Sequence, residues 1–206
     1  MHEMNKPSSP GRAVWFTGLP GSGKSSISRK VSEELEKQGF DIHYLQMDQR
    51  RKVYFPEPAY TPEERKEAYR LFAREAAELA AKGKFVIMDA TAPGKSMRDR
   101  ARGLIENFAE IHIDCSLETA MQREGQRPEG LVMADLYSRA LERKKTGKEF
   151  PGLGQVIGVD TAFEKDPDAE LTIANDHLSL EQAVAKALEY ITGKFSPDCR
   201  HIDSYP

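Results

Sequence analysis

The stretch Gly18-Leu19-Pro20-Gly21-Ser22-Gly23-Lys24-Ser25 lies between a short apolar run and an amphipathic segment, and that setting leaves few folds open. Its spacing is G-x-x-x-x-G-K-[ST], the pattern of a phosphate-binding loop. Ala13-Val14-Trp15-Phe16-Thr17 before it reads as a buried strand. Ser26 to Gln38 after it reads as a helix, with Ile27, Val31 and Leu35 spaced by four. Strand, glycine loop and helix N-terminus together make an anion cradle, because the glycines let backbone N–H groups turn inward. In such a cradle Lys24 reaches the outer phosphates and the Ser25 hydroxyl ligates Mg²⁺. The competing reading is a glycine-rich turn that merely precedes a helix, and the flanking strand and helix argue against it.

With 206 residues, the chain suits one α/β domain with a lid or tail and is long enough to bury a core. The net charge of −3 gives no basic excess, so nucleic acid is not expected as a partner. The two cysteines, Cys115 and Cys199, have no metal-ligand spacing. They fit a reducing cytoplasm better than a disulfide scaffold. No run reaches the length of a membrane span and no apolar signal core is present, so a cytoplasmic location without membrane contact is expected. Residues 1–11, with Pro7, Ser8, Ser9 and Pro10, read as a flexible lead-in. Residues 12–193 read as the domain, with a lid at about 125–160, and 194–206 read as a polar tail.

Strands and helices alternate along the domain. Asp41 to Met47 is a second strand with Asp48 at its end, and Val53 to Tyr60 reads as a loop. Thr61-Pro62-Glu63-Glu64 is a helix start: Thr61 caps, Pro62 enters the first turn and Glu64 completes a capping box. That helix runs to about Lys82, where Gly83 stops it. Lys84–Asp89, Glu110–Asp114 and Leu171–Ala174 read as strands. Ser96–Phe108, Leu117–Arg123, Ala134–Lys145 and Leu180–Tyr190 read as helices. The alternation predicts a three-layer α/β fold, a mostly parallel five-stranded sheet with helices on both faces. Ligands of such sheets bind at the carboxyl ends of strands.

Polar residues at those ends are therefore the candidates. Asp48 reads as a residue that takes a proton from an attacking hydroxyl, or supports Mg²⁺ through water; a turn or cap is the plainer alternative. Asp89 ends Phe85-Val86-Ile87-Met88 and resembles a Walker B carboxylate; a cap to the next turn is equally open. Among many arginines, Arg51, Arg123 and Arg65 stand out as anion contacts, since a guanidinium donates two parallel hydrogen bonds to phosphate or sulfate.

Residues 13–192 resemble the adenylylsulfate (APS) kinases in order and nearly in spacing. The opening Trp15-Phe16-Thr17-Gly18 through Ser26 is similar to that family's. Leu45-Gln46-Met47-Asp48-Gln49-Arg50-Arg51 resembles its Leu-Asp-Gly-Asp-x-x-Arg, with Gln46 in place of the first Asp. Tyr60-Thr61 through Arg65 resembles its Phe-Ser-x-x-x-Arg, and Lys148-Glu149-Phe150 its Lys-x-Phe lid segment. Ala162-Phe163-Glu164 resembles its Pro-Tyr-Glu. The resemblance implies transfer of the γ-phosphate of MgATP to the 3′-hydroxyl of adenosine 5′-phosphosulfate. It implies ATP contacts at Gly18, Leu19, Pro20, Gly21, Ser22, Gly23, Lys24, Ser25 and Ser26, with Arg123 near the adenine. Acceptor contacts are implied at Asp48, Arg51, Arg65, Lys148 and Phe150, the last stacking on the acceptor base. Catalysis is assigned to Asp48 and Lys24, and the metal contact to Ser25. Dimers are common in that family, so a homodimer is carried as an open expectation.

The acceptor half departs from the pattern. Asp89-Ala90-Thr91-Ala92-Pro93-Gly94-Lys95 stands where the family has Phe-Ile-Ser-Pro-Tyr-Arg, with no aromatic ring. Ala68 replaces an Asn, and residues 155–159 look inserted. Asp89 and Thr91, as Asp-x-Thr, instead resemble polynucleotide-kinase-like and zeta-toxin-like enzymes, which phosphorylate other hydroxyls; both residues enter the acceptor set on that ground. That is the second reading, and an ATP-gated binding module is the third.

Overall fold

A computed structural model describes residues 11–126 and 135–195. The lead-in 1–10, Arg127, the rest of the lid stretch 127–134, and the tail from 196 with Cys199 lie outside the described residues.

Five strands form one all-parallel sheet in the order β2-β3-β1-β4-β5, with ranges β1 Arg12–Thr17, β2 Ile42–Gln46, β3 Phe85–Asp89, β4 Phe108–Asp114 and β5 Leu171–Ala174. The pleat of β1 sorts its side chains onto two faces. Ala13 and Trp15 enter one core with helix α3 (Pro62–Ala81) and helix α4 (Lys95–Leu104). Val14 and Phe16 enter the other with helix α1 (Lys24–Lys37) and helix α7 (Leu180–Phe195). Being buried on both faces is why β1 and β3 read as continuous apolar runs. A third, smaller core of Cys115, Ala120, Tyr137, Ala140, Leu153 and Val156 joins helix α5 (Leu117–Gly125), helix α6 (Leu136–Thr146) and the loop after it. No helix among the described residues is long and apolar enough to cross a membrane.

Four boundaries differ from expectation. Met47 and Asp48 open a helix, α2 (Met47–Tyr54), so Asp48 sits in a helical first turn rather than at a strand end. Its carboxylate there faces the positive end of the helix dipole. The helix expected over 96–108 stops at Leu104, and Phe108 starts β4 instead. Pairing of Ala13 with Phe108 and burial of Ile105 and Phe108 override local helix propensity. Helix α7 continues past Tyr190 to Phe195, which is buried against Phe85 with ring centroids 5.8 Å apart, so Lys194 and Phe195 belong to the domain rather than to the tail. Thr61 caps α3 by accepting from Glu64 N at 3.1 Å, but the Glu64 carboxylate reaches past Thr61 to the N–H groups of Ala59 and Tyr60.

Candidate active site

The loop after β1 wraps its backbone as the glycine spacing demands. Gly18 and Gly21 have φ of 142° and 84°, and a Cβ on either would strike a backbone carbonyl, that of Ile113 or Ala120. Ser22 is buried, and its carbonyl accepts from Asn175 Nδ2 at 2.8 Å, which ties the loop to the end of β5. Lys24 Nζ lies 3.4 Å from the Leu19 carbonyl, folded back over the loop. Ser25 and Ser26 occupy the first turn of α1.

Two carboxylates line the space beside this loop, one at the end of a strand and one in the first turn of a helix. Asp89 closes β3, is 2 % exposed, and accepts from Ser25 Oγ at 3.1 Å. Tyr44 OH and Gln46 Nε2 of β2 donate to its other oxygen at 3.0 and 3.3 Å. Asp48 is exposed at the start of α2. Both carboxylates, with Lys24, Ser25, Arg51 and Thr91, line one cavity of about 150 Å³. With Pro20, which lines it as well, the structure thus brings together seven of the sequence-predicted residues in one place.

The segment after β3 is pinned from several sides. Trp15 Nε1 donates to Ala90 O at 3.0 Å, Thr17 Oγ1 to Thr91 O at 2.5 Å, and Ala92 N to Tyr69 OH at 2.8 Å. Arg98 donates to the Ala92 carbonyl, and Glu164 N to Pro93 O at 2.8 Å. Ala92 is held at φ 40°, in the left-handed region, by these contacts. Arg98 is fully buried against Glu110, with Nε 2.8 Å from Oε1, and so is a strut of this segment rather than a solvated helix residue.

Arg51 reaches from that cavity toward a second one, while Arg65, Arg123, Lys148 and Phe150 do not line the first. Arg51 Nη1 is 3.5 Å from Glu64 Oε1, and its guanidinium lies 5.3 Å from the centroid of the Tyr60 ring. Tyr60 lines a second, more open groove of about 420 Å³ with Phe150, Arg143 and Leu153. Arg51 therefore lines the first cavity and packs on a ring that lines the second. Arg65 Nη2 donates to Gln155 O at 2.6 Å, across to the segment that looks inserted, and its burial weakens the hold on its proton. Lys148 turns to Glu142 at 2.9 Å and lies 4.8 Å from the Phe150 ring centroid, and it does not line the first cavity. Arg123 Nη2 donates to Asp176 O at 3.2 Å, on the β5 side of the loop.

Sequence reasoning missed Tyr44, Gln46, Glu124 and Tyr69. Gln46, Glu124 and Tyr69 line the cavity, and Tyr44 backs it. Alternation along β2 was the available signal for Tyr44 and Gln46, since both side chains fall on the face that meets β3's last residue. Glu124 gave none: it is buried and accepts from Leu136 N at 3.0 Å, a contact between α5 and the start of α6.

A phosphate cradle, carboxylates beside it and a neighbouring groove for a second molecule are what direct phosphoryl transfer between two bound partners needs, and the sheet that carries them is that of the P-loop kinases. The family model for adenylylsulphate kinase matches residues 10–174. An adenylyl-sulfate kinase of Staphylococcus haemolyticus is 33% identical over 183 residues, 88% of this chain and 84% of that protein. One of Thermodesulfovibrio yellowstonii is 32% identical over the same shares. The structure of the Mycobacterium tuberculosis APS kinase in complex with AMPPNP and APS superposes with a TM-score of 0.71 at 24% identity, covering 88% of this chain and 98% of that one. The chain belongs to the adenylylsulphate kinase family, and is a phosphotransferase that uses a hydroxyl acceptor. That membership favours the first reading over the polynucleotide-kinase-like one.

Proposed function

We propose that this protein transfers the γ-phosphoryl group of MgATP to the 3′-hydroxyl of adenosine 5′-phosphosulfate, a small anionic nucleotide. The observation that carries this reading is the convergence of Lys24, Ser25, Asp48 and Asp89 on one cavity, with Arg51 linking that cavity to a groove walled by Tyr60 and Phe150.

The residues of the 18–26 loop hold the ATP phosphates through inward backbone N–H groups, with Lys24 placed to balance charge on the moving group. Arg123 packs beside the adenine. Ser25 Oγ and the Asp89 carboxylate form a hard oxygen donor pair that fits Mg²⁺. Among the described residues no cluster of three or more His, Cys, Asp or Glu forms a metal cage, which suits an ion carried in with the nucleotide. Bound Mg²⁺ supplies charge neutralisation for the transferring phosphoryl group. Asp48 orients the acceptor hydroxyl and takes its proton as the oxygen attacks in line. Tyr60 and Phe150 offer two rings for an acceptor base, the stack the missing aromatic after β3 no longer gives. Arg51 takes the acceptor's anionic group, and Arg65, Lys148 and Thr91 complete the acceptor side. The lid, over its described part from 135 to 160, closes over the site and excludes water.

The test is product identity. Incubation with MgATP and APS should yield APS heavier by one phosphoryl group, with the phosphate on the 3′-oxygen by phosphorus NMR. Phosphate placed on another oxygen, or only free phosphate released, would sink the reading.

A further inference from the structure

The carboxylate of Asp89 is held by a directed chain of hydrogen bonds for which the transfer steps above give no role. Oδ1 accepts from Ser25 Oγ at 3.1 Å; Oδ2 accepts from Tyr44 OH at 3.0 Å and Gln46 Nε2 at 3.3 Å. The donors are themselves oriented. A phenol has one proton, so with it on Asp89 the Ser28 hydroxyl, 2.8 Å from Tyr44 OH, is the donor in that pair. Gln46 Oε1 accepts from Arg29 Nη2 at 3.2 Å, which turns the amide so that its NH₂ faces the carboxylate.

The sequence spacing explains why these groups meet. Ser25, Ser28 and Arg29 stand at i, i+3 and i+4 on one face of α1. Tyr44 and Gln46 alternate onto one face of β2. Gln46 is the register partner of Asp89 in the parallel β2–β3 ladder. Two elements, α1 and β2, therefore close on the carboxylate that ends β3, two of its donors on Oδ2 and one on Oδ1.

We infer that Tyr44 and Gln46 are positioning residues for phosphoryl transfer: by occupying Asp89 Oδ2 they leave Oδ1 aimed at Ser25 and the metal-binding edge of the phosphate loop. This rests on reading Asp89 as the carboxylate that supports Mg²⁺. Oriented ligand-holding groups of this kind change metal affinity far more than they change the fold. Because Gln46 and Asp89 face each other in register and touch, the negative charge is also exchangeable between them.

The test reads nucleotide binding without turnover. Calorimetry gives the affinity for AMPPNP with and without Mg²⁺, and the ratio is the metal-dependent tightening. Tyr44→Phe and Gln46→Met should each cut that tightening by about tenfold while metal-free binding is kept. Asp89→Asn should abolish it, and the isosteric exchange Asp89→Asn with Gln46→Glu should restore part of it. Thermal melts establish that each variant is folded; if Tyr44→Phe does not fold, Gln46→Met and the exchange pair carry the test. Unchanged tightening in folded Tyr44→Phe and Gln46→Met, with Asp89→Asn still abolishing it, overturns the positioning role alone. An exchange pair no better than Asp89→Asn overturns the exchangeability. Full tightening in Asp89→Asn overturns the reading of Asp89 itself, and the inference with it.

Discussion

The hydroxyl of Tyr137 donates to the carbonyl of Pro20 at 2.8 Å and so seats helix α6 on the phosphate loop. A second bond, Leu136 N to Glu124 Oε1 at 3.0 Å, fixes the start of the same helix. Gly158 packs where a side chain would strike Leu117, close to Leu19 and Tyr137, so the turn after α6 bears on the loop as well. Tyr137→Phe removes one such bond, worth about 1 kcal/mol. Its KM for ATP should rise several-fold, and acceptor-independent ATP hydrolysis should rise relative to transfer, because the lid excludes water less well. Steady-state ADP release with and without acceptor measures both.

In the proposed mechanism Asp48 and Lys24 separate chemistry from binding. Asp48→Asn should keep ATP affinity and lose transfer by about 10²–10⁴-fold, the range of a positioned proton acceptor. Lys24→Ala should damage nucleotide use with every acceptor. Equilibrium ATP binding set beside single-turnover transfer distinguishes the two, and near-normal turnover in Asp48→Asn would remove that residue from its assigned role.

Arg98 holds the segment after β3, proposed above to face the acceptor. Its side chain is fully buried, pairs with Glu110 at 2.8 Å and lies 5.1 Å from the Phe163 ring centroid. Burial pushes the Glu110 carboxyl up to about 7, with Arg98 and Arg102 opposing and Asp166 adding to the rise. Arg98→Met should cost about 3–5 kcal/mol in urea unfolding, because Glu110 is left buried without its partner. The double variant Arg98→Met with Glu110→Leu should recover much of that loss. Neither residue lines the cavity, so the kinetic defect of Arg98→Met should fall on the acceptor's KM through the Ala92 carbonyl.

Asp176 sets an acid limit. Its carboxylate accepts from Thr119 Oγ1 at 2.6 Å and from Ser116 N and Oγ at 3.0 and 2.9 Å, which lowers its pKa from 3.8 to about 2. The folded state thus releases the proton more readily than the unfolded chain, and the unfolded chain binds more protons between these values. The stabilisation is present above about pH 4 and is lost as pH falls toward 2. Thermal melts from pH 5 to 2 should show wild type losing stability faster than Asp176→Asn over that window; parallel curves would contradict this.

How far the sequence carried is clearest at particular residues. The phosphate loop, β1 and α1 were readable because glycine conformation, two-faced burial and helical spacing are local signals. The parallel five-stranded sheet followed from alternation of elements. Helix α2 was not readable, since Asp48-Gln49-Arg50-Arg51-Lys52 has no apolar period to mark a helix. The start of β4 and the end of α7 were set by distant partners, Ala13 and Phe85. Within the site, the direction of Arg65 toward Gln155 and of Lys148 toward Glu142 depends on packing that spacing does not encode. The contact of Asp89 with Ser25, 64 residues away in sequence, is likewise a product of the fold that spacing does not encode.

The most direct measurement is ADP release with Mg²⁺ and ATP across an acceptor panel: APS, adenosine nucleotides, sugars and 5′-hydroxyl oligonucleotides. The account predicts turnover with APS at a kcat/KM far above every other acceptor, abolished in Lys24→Ala. Silence with APS alongside turnover on another hydroxyl would contradict it, and would mean that the groove around Tyr60 and Phe150 serves a different acceptor.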